Sequence, residues 1–151
     1  MLIQNYGLTP MSSMQEQKYF LIKELALATG ISIDTIRFYE KKNLLQPSFR
    51  ADNNYRYYGE EMFKRLTFIK RCRALDMSLN EIESLIELEQ QPAQSCQMVN
   101  QLIDQHIIQV SEKIKELQKF KAQLKELRAT CNETSRIDDC QILKQLENGK
   151  S

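Results

Sequence analysis

The sequence predicts a mainly α-helical chain. It reads as an N-terminal winged helix-turn-helix, then a long antiparallel dimerisation coiled coil, then a C-terminal loop closed by two cysteines. Three observations carry this. Only four Gly and three Pro interrupt 151 residues rich in Leu, Ile, Glu, Lys and Gln, which favours helix over strand. Two short helical patterns flank Gly30 and lead into an aromatic, basic stretch with turn residues at its centre. The segment from Cys96 to Ala129 contains neither Gly nor Pro and repeats its apolar residues at alternating spacings of four and three.

Residues 1–17 lack periodicity and read as a disordered extension. The winged helix-turn-helix takes 18–76. A connecting helix and linker take 77–94, the dimerisation helix 95–130, and the loop with a short final helix 131–151. In "YFLIKELALATGIS", Leu21, Ile22, Leu25 and Ala28 recur at helical spacing, and Thr29-Gly30 stops the helix. Ser32 is a natural N-cap for the second helix, "IDTIRFYEKKN", whose Ile33, Ile36 and Tyr39 or Glu40 are spaced for one face. Pro47 ends helical structure. Residues 51–54 (Ala-Asp-Asn-Asn) make a turn before the alternating Tyr55-Arg56-Tyr57, so a β-hairpin wing follows. Gly59 opens a third helix. Ser78 and Glu81 in "SLNE" form a capping box for a fourth, running to about Glu89, and "QQPAQS" is a linker.

In the long helix, Val99, Ile103, His106, Val110, Leu117, Phe120, Leu124 and Leu127 mark the seam, with Lys113 out of place. One short chain cannot bury a seam of that length, so a homodimer is expected.

Charge is divided unevenly. Residues 18–73 hold 12 Lys/Arg against 6 Asp/Glu, a net of +6, whereas 74–151 carry −4. A basic front half points to a polyanion. The second helix offers Thr35, Arg37 and Tyr39, and the wing Arg50, Asn54, Tyr55, Arg56 and Tyr57, as residues able to contact double-stranded DNA. No glycine-rich phosphate loop or nucleophile motif is present, and the chain has one histidine, so an enzyme is not expected. The chain has neither a signal-peptide pattern nor a run of roughly 20 apolar residues, so it is expected in the cytoplasm, away from membranes, with reduced or metal-bound thiols.

The seam extends back to Cys96 and forward to Cys131. These lie 35 residues, or five heptads, apart, roughly 50 Å by helical rise. One chain cannot bring them together. An antiparallel pair sets Cys96 of one subunit beside Cys131 of the other, and "CNETSRIDDC" then curls Cys140 in. Three thiolates suit a soft cation, whereas structural zinc normally asks for four ligands. The alternatives for these thiols are inert small hydrophobes or a Cys131–Cys140 disulfide. Cys72 reads as a buried structural thiol and His106 as a packing residue of the seam.

Two stretches, "IKELALATGISIDTIRFYEKKNLLQPSFRADNNYRYY" and "RLTFIKRCRALDMSLNEI", resemble the winged helix-turn-helix and following helices of the MerR family of transcription regulators. The resemblance covers roughly residues 19–147. Cys96 ahead of the long helix is similar to the divalent-ion sensors of that family. Asn132, and a loop without His, depart from its zinc members. "VNQLIDQHIIQV" and "CQILKQLE" resemble its cadmium/lead-responsive, CadR- and PbrR-like branch. The resemblance implies Cd(II) or Pb(II) as effector, with Hg(II) and Zn(II) open; the rival from another class is a thiol redox sensor or metal buffer with no transcriptional output. It also implies a dimer seated on promoter DNA that represses without metal. With metal, the dimer bends and untwists the DNA so that RNA polymerase engages both promoter elements of metal-resistance genes. Lys23 departs from the family, which usually has Gly there.

Overall fold

The computed structural model describes residues 18–131 and 134–149, so the expectations for residues 1–17 and for Asn132 lie outside the described residues. The chain divides into two units, 1–84 and 85–151.

The first unit begins with β1 (Phe20–Leu21), α1 (Ile22–Thr29) and α2 (Ile33–Lys41). The wing follows as β2 (Phe49–Arg50) and β3 (Arg56–Tyr58), and then α3 (Glu60–Ala74). The helix-turn-helix forms where its punctuation demands. The Leu21 amide donates to the Glu24 carboxylate at 2.8 Å, and Gly30 ends α1 in the left-handed conformation, φ 69°. Lys70 of α3 donates to the Thr29 carbonyl at 2.6 Å, which satisfies an otherwise orphaned acceptor at the C-terminus of α1. Ser32 caps α2 as expected, its Oγ accepting from the Thr35 amide at 3.2 Å.

The sheet is where the structure departs from the sequence reading. Leu21, assigned above to the first helix, belongs instead to β1, which pairs antiparallel with β3 in the order β1-β3-β2. The registers Phe20↔Tyr58 and Phe49↔Tyr57 put alternate side chains of β3 on opposite faces. Phe20 stacks on Phe63 of α3 at 5.9 Å, and Tyr58 is fully buried. Tyr57 stacks on Phe49 at 4.9 Å.

The core of this unit is Leu25, Ile36, Leu45, Leu66, Ile69, Met77 and Ile82, each almost wholly buried. Ile36 joins α2 to that core, so Ile36→Ala leaves a cavity directly beneath the second helix. We expect it to cost about 3 kcal/mol, read from the urea unfolding midpoint.

Helix α4 (Leu79–Glu89) starts at the capping box read from the sequence. The Ser78 amide donates to Glu81 at 2.7 Å and the Glu81 amide to Ser78 Oγ at 3.3 Å.

The second unit is built on α5 (Gln97–Ala129), 33 residues long, followed by a 3-10 turn (Ile137–Asp139) and α6 (Gln141–Glu147). No residue of α5 is buried: Ile103, Leu117, Phe120 and Leu124, all from the seam, are exposed. Full burial of one such side chain contributes about 2 kcal/mol, so the helix carries a large unrealised gain along one stripe. Among the described residues, no helix is long and apolar enough to cross a membrane.

Candidate DNA-binding face and thiol cluster

Helix α2 and the wing enclose a groove of about 1080 Å³ whose lining includes Lys23, Arg37, Lys41, Arg50, Tyr55 and Arg56. Cations line it from α1, α2 and both wing strands or their flanks. Such a groove suits a chain of phosphates. Lys23, set aside in the sequence as a departure, is one of its exposed lining residues. The signal for it was a Lys in the first turn of a helix, where the dipole disfavours a cation.

The eight expected DNA residues do not share one environment. Arg37 is exposed on α2, and Arg50, Asn54 and Tyr55 are exposed on the wing. Thr35 is half-buried and its hydroxyl lies 2.8 Å from Ser32 Oγ. Asn54 adopts φ 65° in the wing turn, where its amide donates to the Ala51 carbonyl at 2.8 Å. That left-handed conformation is one Asn tolerates. Tyr39 differs from expectation. It is 7% exposed and packs in the core, because its spacing from Ile36 puts it on the apolar face of α2, away from Arg37. Tyr57 is half-buried against Phe49. Arg56 also differs, since its Nη1 lies 2.7 Å from a Glu40 carboxylate oxygen.

In the second unit, Cys131 ends the segment leaving α5 and Cys140 is the N-cap of α6. Their sulfurs are 3.7 Å apart. A disulfide requires about 2.05 Å, so the pair is a hydrogen-bonded dithiol. Two thiolates on one tetrahedral ion at about 2.3 Å would sit about 3.8 Å apart, so the spacing fits a shared soft cation. The Leu143 amide, donating to the Cys140 sulfur, holds that thiol below the usual cysteine range. Cys131 is pushed up, chiefly because its S–H donates to Cys140 and secondly by burial. An ion held by both sulfurs would displace the proton that lies between them.

Cys96 is exposed at the opposite end of α5, as its N-cap. The helix between them sets it about 50 Å from Cys131. Among the described residues, no group of three metal-ligating side chains forms within one chain. Cys72 is buried in α3, and burial pushes its thiol up.

Comparison with known proteins decides the family. Residues 20–89 match the family described as "MerR HTH family regulatory protein", and residues 63–127 match that described as "MerR, DNA binding". The chain belongs to the MerR family. It is 44% identical over 107 residues to a regulator of Haemophilus influenzae named as a ZntR homolog, covering 71% of this chain and 79% of that one. It is 32% identical to the mercuric resistance operon regulatory protein of Bacillus cereus, over 84% of this chain and 96% of that one. The crystal structure of PbrR691 from Ralstonia metallidurans in complex with lead(II) superposes with a TM-score of 0.71 at 41% identity, covering 84% of this chain and 98% of that chain. These MerR relatives are transcription regulators and not enzymes. The mainly helical chain with its winged helix-turn-helix and long C-terminal helix is the MerR fold.

Proposed function

We propose that this MerR protein activates metal-resistance genes when Cd(II) or Pb(II) is bound by Cys96 of one subunit and Cys131 and Cys140 of its partner. In coarser terms, the chain is a metal-responsive transcription regulator of the MerR family that binds promoter DNA as a dimer. The observation that supports the thiolate set is the 3.7 Å separation of the Cys131 and Cys140 sulfurs at the end of a helix whose apolar stripe is exposed. Two thiols are two of the three donors. A stripe that can be buried only by another α5, run antiparallel, brings up the third.

The choice of ion rests on three supports. Three soft donors suit a thiophilic cation. The 41% identical structure is that of a lead(II) complex. The stretches "VNQLIDQHIIQV" and "CQILKQLE" resemble the cadmium/lead branch. The relatives named as a ZntR homolog and as a mercuric resistance regulator keep Zn(II) and Hg(II) as the competing effectors.

On the DNA side, Arg37, Arg50, Asn54 and Tyr55 contact backbone and bases from the groove between α2 and the wing, and Thr35 does so from the start of α2. Tyr39, Tyr57 and Arg56 support that face from within. The bound ion acts by favouring one conformation of the dimer over another, in proportion to its difference in affinity for the two.

Competitive titration of the reduced protein with Cd(II), Pb(II), Hg(II) and Zn(II), followed by run-off transcription with each ion, tests this reading. We expect stoichiometric Cd(II) or Pb(II) binding with thiolate charge-transfer absorption, and transcription that rises with the same ion. Binding without any transcriptional response would overturn it. The proximity of Cys131 and Cys140 also favours a second reading, a thiol redox sensor. That reading predicts a stable disulfide in cell extract and a response to peroxide in the absence of metal.

A further inference from the structure

Glu40 occupies a position that ordinary helix electrostatics disfavour. It is the penultimate residue of α2, where the helix dipole repels a carboxylate, and its side chain is only 11% exposed. Both of its oxygens are engaged from the wing. Arg56 Nη1 donates to Oε2 at 2.7 Å, and the fully buried Tyr58 hydroxyl donates to Oε1. The wing has a matching difficulty. Arg56 lies directly across the β2–β3 ladder from Arg50, and like charges in that register repel. Glu40 resolves both problems at once, since it neutralises one arginine of the pair and leaves the other, exposed Arg50, as the wing's cation in the groove.

We infer that Glu40, Arg56 and Tyr58 form a clamp that fixes the wing against the second helix, and that Arg56 is a positioning residue and not a phosphate contact. The inference rests on reading this face as the DNA-binding one. It gives the two wing arginines different roles. Arg50 neutralises DNA, and Arg56 sets the angle at which Arg50 and Tyr55 meet it. Tyr58 extends the clamp into the core, because its ring is buried and its hydroxyl has the carboxylate as acceptor. Burial and the adjacent carboxylate both raise its phenol, so the proton stays on the tyrosine and the donor is permanent.

Salt dependence separates the two roles, since each phosphate contact contributes about 0.9 to the slope of log K against log salt. The full-length dimer is titrated with a duplex recovered by selection from a random pool, and with a scrambled duplex of equal length. Arg50→Met removes one contact from each subunit and should lower the slope by about 1.8 on both. Arg56→Met should leave the slope unchanged and weaken only the selected duplex, about tenfold, which is the order of one lost positioning contact. Glu40→Gln, which is isosteric, releases Arg56 towards the groove. With one Arg56 released in each subunit, it should steepen the slope by about 1.8, strengthen the scrambled duplex and reduce discrimination. Tyr58→Phe should reduce discrimination with no change in slope. Should Arg56→Met unfold at the assay temperature, Glu40→Gln carries the test alone. The inference is overturned if Arg56→Met lowers the slope as Arg50→Met does, or if Glu40→Gln leaves both slope and discrimination at wild-type values. Absence of binding to either duplex would instead remove the DNA reading itself, whereas equal affinity for both would remove only sequence discrimination and leave the slopes to report what Arg56 does.

Discussion

Cys131→Ser is expected to abolish metal-induced transcription while leaving promoter binding intact, and Cys96→Ser and Cys140→Ser should each do the same. The magnitude follows from ligand count. Four-ligand zinc peptides bind with roughly 10–16 kcal/mol, or about 3 kcal/mol per ligand, so losing one thiolate should weaken the ion by at least about a hundredfold. A serine hydroxyl does not replace it, because it is a hard donor that stays protonated near neutral pH. Induction requires the ion to favour the active conformation by its difference in affinity, and an ion that no longer binds at its working concentration shifts nothing. DNA binding should survive because the thiols belong to the second unit, whereas the groove is built from the first. Cys72→Ser is the internal control. Its thiol is buried in α3, away from the other three in sequence, so metal response should persist in a somewhat less stable protein. The measurement is run-off transcription against metal concentration, paired with gel-shift affinity. Full induction in all three single variants would sink the thiolate site.

Much of this arrangement was legible in the chain because its signals are local. Ser32, the Ser78–Glu81 capping box and the turn at 51–54 each act within a few residues, and each forms where the sequence placed it. The length of α5 followed from the absence of Gly and Pro and from the 4-3 stripe, none of whose residues the single chain buries. What the sequence hid is non-local. Strand β1 is two residues long and abuts a helix, and its partner, Tyr57–Tyr58, lies more than 30 residues away, so helical spacing absorbed Leu21. The pairing of Glu40 with Arg56 spans 16 positions and appears only once the wing folds back on α2. Tyr39 carried two contrary signals, a hydroxyl suited to phosphate and a place three residues after Ile36. The apolar face won, because burying the ring gains more than one exposed hydroxyl contact. The thiols were the reverse case. Their five-heptad spacing along the seam points to a partner subunit, and the fold brings the Cys131 and Cys140 sulfurs to 3.7 Å.

The proposed division of the site between chains leads to the sharpest expectation. Cys96→Ser and a Cys131→Ser/Cys140→Ser double variant should each fail to bind Cd(II) as homodimers, yet a heterodimer of the two should bind one ion. In an antiparallel pair, each site takes Cys96 from one subunit and Cys131 with Cys140 from the other. The heterodimer therefore holds one site with all three sulfurs and one with none, whereas the wild-type dimer holds two complete sites. A site confined to one chain predicts no recovery, since neither variant chain carries all three thiols. Helix α5 is continuous over 33 residues, and it cannot fold back to bring Cys96 to Cys131 without being broken. The heterodimer is made by co-expression with two different tags, purified through both and titrated under reducing conditions. One equivalent per dimer, with the affinity of the wild type, is expected. Zero equivalents in a heterodimer that remains paired would exclude sharing of the ion across the interface, whichever metal proves to be the effector.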